Sequence, residues 1–97
     1  LSMNQPIASA VSTGQCRIGA KSSIDALKKM EARLVVVASN CPPNQYDDIK
    51  RYAAMSGTKI YEFKGTSWDL GEIVGKPFVV SAMAVIEPGD SNILEMV

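Results

Sequence analysis

The 97-residue sequence contains no histidine. That excludes every histidine-based triad, histidine general base and histidine metal site. Cysteine is scarce as well: Cys16 and Cys41 stand 25 residues apart. Two cysteines make no disulfide framework of the kind small secreted domains use. Without histidine they cannot complete a tetrahedral zinc site either. Both are expected to be free, partly buried thiols in a reducing cytosol. No metal and no cofactor is expected. No apolar run approaches the ~20 residues of a membrane span. Residues 1–12 lack the basic start and continuous apolar stretch of a signal peptide. The first residue is Leu1 rather than Met, as processing or truncation would leave it. An excess of one charge is missing too, since ten basic and ten acidic side chains cancel. Nucleic-acid binders usually carry surplus lysine and arginine, so the sum argues mildly against one.

What is present is a globular chain. A hydrophobic content of 46% argues against disorder. The length suits one domain of about 100 residues. There is no linker, low-complexity tract or internal repeat, so residues 1–97 read as a single domain. Pro6 suits the first position of a helix, where its missing N–H is unneeded. Ile7, Ala8 and Val11 share a face of that helix, and Gly14 suits its stop. A short strand follows over residues 16–18. Ser22 and Ser23 offer capping oxygens to a second helix, with Asp25 reciprocating. Ile24, Leu27 and Met30 form its buried stripe. Residues 34–37 are apolar on both faces, which predicts a central strand. Asn40, Pro42, Pro43 and Asn44 lead into a third helix, whose positive end Asp47 and Asp48 favour. Tyr46, Ile49 and Ala53 face inward there, and Gly57 stops it. A strand over 58–63 precedes a short helix with Asp69 early and Leu70, Ile73 and Val74 inward. Gly75 ends that helix. The last strand is expected over 78–86. Glu87-Pro88-Gly89-Asp90 reads as a type II turn. Ser91 can cap a final helix with Ile93, Leu94 and Met96. The order αβαβαβαβα implies an α/β protein, a three-layer α/β/α sandwich around four strands. Helical crossovers favour parallel pairing, with the outer strands free to pair either way.

Several candidates for chemistry fall short. Gly14, Gly19, Lys21 and Ser22 nearly spell a phosphate loop. However, Ala20 separates the last glycine from the lysine, which must meet the same phosphates as the backbone cradle. The strand at 34–37 also ends without the aspartate that would hold magnesium. Asp47 and Asp48 are adjacent, and adjacent helical residues do not face each other. Cys41 has no histidine to activate it, and only a helix N-terminus could lower its pKa. More promising is a rim of loops, because ligands of open α/β sheets sit outside strand ends. Gly19, Lys21 and Ser22 open one helix, Asn40 precedes another, and Gly75, Lys76, Pro77 and Phe78 precede the last strand. Glycine permits close backbone approach and lysine contacts phosphate. Asparagine reads a base edge, and an aromatic stacks on an unpaired base.

A run of ordered segments narrows the choice. They are Ser12-Thr13-Gly14, Ile18-Gly19-Ala20-Lys21-Ser22-Ser23, and residues 33–42 with the string RLVVVASNCP. Tyr52-Ala53-Ala54-Met55-Ser56, Tyr61-Glu62-Phe63-Lys64-Gly65 and Asp69-Leu70-Gly71 follow. Val74-Gly75-Lys76 and Ile86-Glu87-Pro88-Gly89-Asp90-Ser91 complete the set. In their order and spacing the chain resembles the large-subunit ribosomal protein family "L-thirty-e" of archaea and eukaryotes. That family is a branch of the kink-turn RNA-binding superfamily, and the resemblance runs from about Val11 to Leu94. It implies an α/β/α sandwich with a mixed four-stranded sheet. It also implies binding to a sharply bent ribosomal RNA internal loop, with no catalysis.

On the same resemblance, Gly19, Lys21 and Ser22 fall in the first RNA-binding loop. Asn40 is the polar contact after the second strand, and Phe78 the aromatic that stacks on an exposed base. Lys76 and Val79 lie beside it. The protein is then expected in the cytoplasm, on the ribosome, among neighbouring ribosomal proteins and away from membranes. It is expected to be a monomer when free. Ala20-Lys21-Ser22 replaces the Asn-Glu pair of the branch that also serves guide-RNA particles, which favours the ribosomal branch. Lys50-Arg51 has no counterpart role. The chain lacks the lysine-rich N-terminal extension of eukaryotic members, which points to an archaeal source. The rivals are a kink-turn RNA binder in a non-ribosomal particle or in messenger RNA regulation, a small thiol enzyme using Cys41, and a protein-interaction module using the acidic C-terminal region.

The zero net charge conceals a gradient. Residues 1–40 carry five cationic side chains against two acidic ones, and residues 65–97 carry one against five. With few cations at the rim, salt should weaken RNA binding only gently.

Overall fold

The computed structural model describes residues 4–96. The side chain of Met96, expected above in the final helix, lies outside the described residues. Helices α1 (Asn4–Thr13), α2 (Ala20–Lys28), α3 (Pro43–Ser56), α4 (Ser67–Ile73) and α5 (Ile93–Met96) alternate with strands β1 (Gln15–Ile18), β2 (Leu34–Val37), β3 (Lys59–Glu62) and β4 (Ala82–Glu87). The α/β/α order expected from the periodicity is observed. The sheet order is β1-β4-β2-β3. β2 pairs β3 in parallel, while β4 runs antiparallel to both β1 and β2. The sheet is therefore mixed.

Alternation along the two central strands builds two cores. Leu34, Val36, Met83 and Val85 face Ile7 and Ala10 of α1, Leu70 of α4 and Ile93 of α5. Val35, Val37, Ala82 and Ala84 face Ala26 and Leu27 of α2 and Ile49 and Ala53 of α3. All four residues of β2 are buried, as its unbroken apolar run requires. Each such side chain contributes about 1.5–3 kcal/mol on leaving water. On the second face β4 offers the small Ala82 and Ala84, with Ile86 half-buried at its end, which leaves room for Leu27 and Ile49.

Several local expectations are corrected. Pro6 lies inside α1 rather than at its first position, and it is buried. α2 starts at Ala20, with Gly19 as its N-cap and no capping side chain. The Ser23 hydroxyl instead donates back to the Gly19 carbonyl at 2.7 Å. Ile24 is only half-buried and packs on the second core. Met30 leaves the expected stripe altogether: α2 ends at Lys28, and Met30 adopts φ +58° and is 72% exposed. Asp47 and Asp48 fall beyond the first turn of α3, which has no acidic residue. Asp48 pairs with Arg51 one turn on, at 3.2 Å.

The expected turn at 87–90 closes one residue later, by a Ser91 N–H to Pro88 carbonyl bond of 3.0 Å, with Gly89 at φ +61°. Thr13 takes the Asp90 N–H instead. The Ser91 hydroxyl does accept the Ile93 N–H, as a cap should. The charge gradient along the chain is folded over on itself. β1 lies against β4, and Arg33 pairs with Glu87 at 3.2 Å.

Candidate nucleic-acid interface

The register sets one end of the sheet apart. Ile18 faces Met83, Val37 faces Ala82, and Val37 faces Glu62. Strands β1, β2 and β3 therefore finish where β4 begins. Beyond them the ladder continues into the loops. Gly19 donates to the Ala82 carbonyl and Ala38 to the Ser81 carbonyl, both at 2.8 Å. Ser39 donates to the Gly65 carbonyl at 2.9 Å. Val80 donates to the Ser67 carbonyl and Lys76 to the Gly71 carbonyl, each at 2.9 Å. Backbone groups so paired hold the loops in one arrangement. Of the residues expected to form the site, Gly19 and Asn40 lie on this rim, Lys21 and Ser22 open α2 just after it, and Lys76, Phe78 and Val79 lie on the loop that leads from α4 back to it.

The first loop owes its shape to Gly19. At φ +104° it occupies a backbone region that L side chains rarely adopt, and its Cβ direction opens to empty space. Lys21 and Lys76 are exposed and have no ion-pair partner among the described residues. Two cations on one rim, neither neutralised, leave the surface ready for anions.

Asn40 is corrected in one respect. Its Oδ1 accepts the Ser67 N–H at 2.7 Å, so that oxygen is already committed to the start of α4. Its amide NH2 has no partner among the described residues and remains a donor. α4 itself is fixed at its other start contacts by a capping box between Thr66 and Asp69.

Phe78 departs most from its expected element. The last strand begins at Ala82, four residues later than the apolar run suggests. Phe78 and Val79 sit instead in the loop after α4, 53% and 54% exposed, and Val80 alone turns into the core. Phe78 and Val79 together leave apolar surface in water on a hydrogen-bonded loop, where a ligand can reach it.

Sequence reasoning gave no role to Gly71. A Cβ at Gly71 would overlap the Phe78 carbonyl oxygen and lie 3.3 Å from the Phe78 carbonyl carbon. The glycine lets the loop pass directly over α4. The available signal was a glycine inside a helix, which costs about 1 kcal/mol against alanine and so has a packing reason.

Cys41 borders a small cleft with Tyr46 and Glu62 on the same end. Burial raises its pKa, partly opposed by a hydrogen bond with Ser81. Burial also pushes Cys16 up to about 11. The thiolate fraction at neutral pH is thus smaller than that of a free thiol, the reverse of what a nucleophile needs. Alkylation by iodoacetamide at pH 7 should be slower than for a small free thiol and should rise steeply with pH. Fast, pH-independent modification of Cys41 would restore the thiol-enzyme alternative. No cluster of acidic and thiol groups able to hold a metal occurs among the described residues. Among them, no helix is long and apolar enough to cross a membrane.

The fold and its rim define a small α/β/α sandwich that presents loops at one end of its sheet. The family described as "Ribosomal protein L7Ae/L30e/S12e/Gadd45 family" matches residues 2–95, and the chain belongs to that family. Over 97 residues it is 44% identical to the "Large ribosomal subunit protein eL30" of Methanothermobacter thermautotrophicus, covering 100% of this chain and 99% of the relative. The proteins of the same name from Methanocaldococcus jannaschii and Saccharolobus solfataricus are 42% and 38% identical over 97 residues, with 88% and 90% of their lengths covered. The resemblance read from the ordered motifs is borne out. None of these names is that of an enzyme.

Proposed function

We propose that this chain is a structural protein of the large ribosomal subunit that binds and stabilises a kinked, kink-turn-like element of ribosomal RNA. It would act as a monomer, in the cytoplasm, among neighbouring ribosomal proteins. Its family and its full-length relatives support the ribosomal part. The observation that carries the RNA part is Phe78, half-exposed on a loop tied by backbone bonds to the same sheet end as Gly19, Lys21 and Asn40.

In this reading Lys21 and nearby backbone N–H groups hold phosphates where a bent strand comes close. Gly19 keeps its loop open for that approach. Asn40 donates its amide NH2 to a base edge while its oxygen holds α4 in place. Phe78 stacks on a base already released by the kink, so the RNA and not the protein supplies the unstacking. Ser22, Lys76 and Val79 flank these contacts.

The test is a gel-shift titration with a kink-turn RNA against a straight duplex of equal length. Preference for the bent RNA is expected, and equal affinity would reject the proposal. RNA recovered with the protein from cells should be ribosomal; enrichment of a guide RNA would move the chain to a different particle.

Salt dependence gives an independent check. Each phosphate neutralised contributes roughly −0.9 to the slope of log K against log salt. Two free lysines on the rim predict a slope near about −2 on that basis. A slope of about −6 or steeper would indicate a broadly cationic binder instead.

A further inference from the structure

The large apolar side chains left in water among the described residues fall into two groups. Met30 follows the end of α2 and Met55 lies in the last turn of α3, away from the loop rim. Trp68, Phe78 and Val79 lie on it. Trp68 is 63% exposed, more so than Phe78. It is the single tryptophan of the chain.

Its backbone is nevertheless among the most constrained on the rim. On one side, Ser67 donates its N–H to Asn40 Oδ1 at 2.7 Å and accepts the Val80 N–H at 2.9 Å. On the other side, Asp69 closes the capping box with Thr66. Trp68 also stands three residues before Gly71, and residues three apart share a helix face. That face of α4 meets the second aromatic loop: a Cβ at Gly71 would lie 3.3 Å from the Phe78 carbonyl carbon and 3.6 Å from Val79 Cα. One rigid helix start thus carries an exposed indole one residue after the Ser67–Asn40 bond and one turn before the glycine that underlies the Phe78 loop.

We infer that Trp68 is a second stacking platform of the RNA interface, taking an unpaired base or the terminal base pair next to the one held by Phe78. This rests on the RNA-binding reading above. Indole suits the task, because its flat face accepts any base and its position is already ordered. The Phe78 loop passes over α4 one turn after Trp68 and returns to Ser67 through the Val80 N–H, so both aromatics are carried by one hydrogen-bonded unit.

The lone tryptophan makes the test direct. Wild-type protein is titrated with a kink-turn RNA. Binding is followed by gel shift, and Trp68 emission is read at saturation. The emission should be quenched and its access to acrylamide reduced. Trp68→Ala should weaken gel-shift affinity roughly tenfold, the usual loss on truncating a stacking aromatic, while Trp68→Phe stays within roughly threefold. Both variants should unfold at the wild-type temperature, because the ring is mostly in water. Normal RNA binding with unchanged emission, or with Trp68→Ala at wild-type affinity, overturns this inference alone and leaves the indole for a protein neighbour. No shift of the RNA by wild-type protein overturns the RNA-binding reading itself.

Discussion

Gly71→Ala is expected to destabilise the protein by about 2 kcal/mol, although the same change in a solvated helix would stabilise it by about 1. The sign reverses because of what the new methyl group meets. It would overlap the Phe78 carbonyl oxygen and press on the Phe78 carbonyl carbon. These are backbone atoms, so no rotamer change relieves the contact. Nor can either partner slide freely. α4 is pinned by its capping box, and the loop is pinned by the bonds from Lys76 to Gly71 and from Val80 to Ser67. Something must shift, and overpacking of this kind costs about 1–3 kcal/mol, occasionally more. For a domain of this size the melting temperature should fall by about 10 °C. RNA affinity should fall with it, because the loop that moves is the one carrying Phe78. A urea titration and a gel shift on the same variant check both effects. A gain in stability of the size set by helix propensity would show that the loop yields freely and that α4 does not position it.

Phe78→Ala is expected to separate the two effects. RNA binding should weaken roughly tenfold or more, since base–aromatic stacking is worth ~1–3 kcal/mol and each 1.4 kcal/mol is about a factor of ten. Stability should change little, because the ring is half in water and its removal opens no core cavity. Phe78→Tyr keeps a π-face and should retain most of the affinity. The opposite pattern, with RNA binding unchanged and urea stability down by more than about 1 kcal/mol, would return Phe78 to the core and remove it from the interface. Together the two variants distinguish a residue that touches the ligand from one that holds the residue that does.

The contrast between these positions shows where local patterns stop being informative. Residues 78–86 form an almost continuous apolar run, and continuity is the mark of a strand buried on both faces. The run is nevertheless divided. Ala82–Glu87 pairs with β1 and β2, while 78–81 crosses over α4. What divides it is the path of a different segment, which periodicity along the chain does not register. Met30 follows the same logic. Its spacing from Leu27 is helical, but α2 ends first, and a residue at positive φ points off the face its number suggests. Asp47 and Asp48 were misplaced by a shift in the helix start: Pro43 takes the first position of α3, which pushes both beyond the reach of the helix N-terminus.

By itself the sequence determined the α/β class, the order of elements, β2 as the fully buried strand, the absence of histidine chemistry and, through its ordered motifs, the family. These properties depend on residue type and on short-range spacing, which the chain carries wherever it goes. Tertiary structure decided the antiparallel placement of β4 and hence the single end of the sheet where the loops gather. It also decided that the Asn40 oxygen holds α4 while its amide stays free, and that Trp68 and Phe78 remain in water. Each of these is set by contacts between segments distant in sequence, where the partner and not the residue's own pattern selects the outcome.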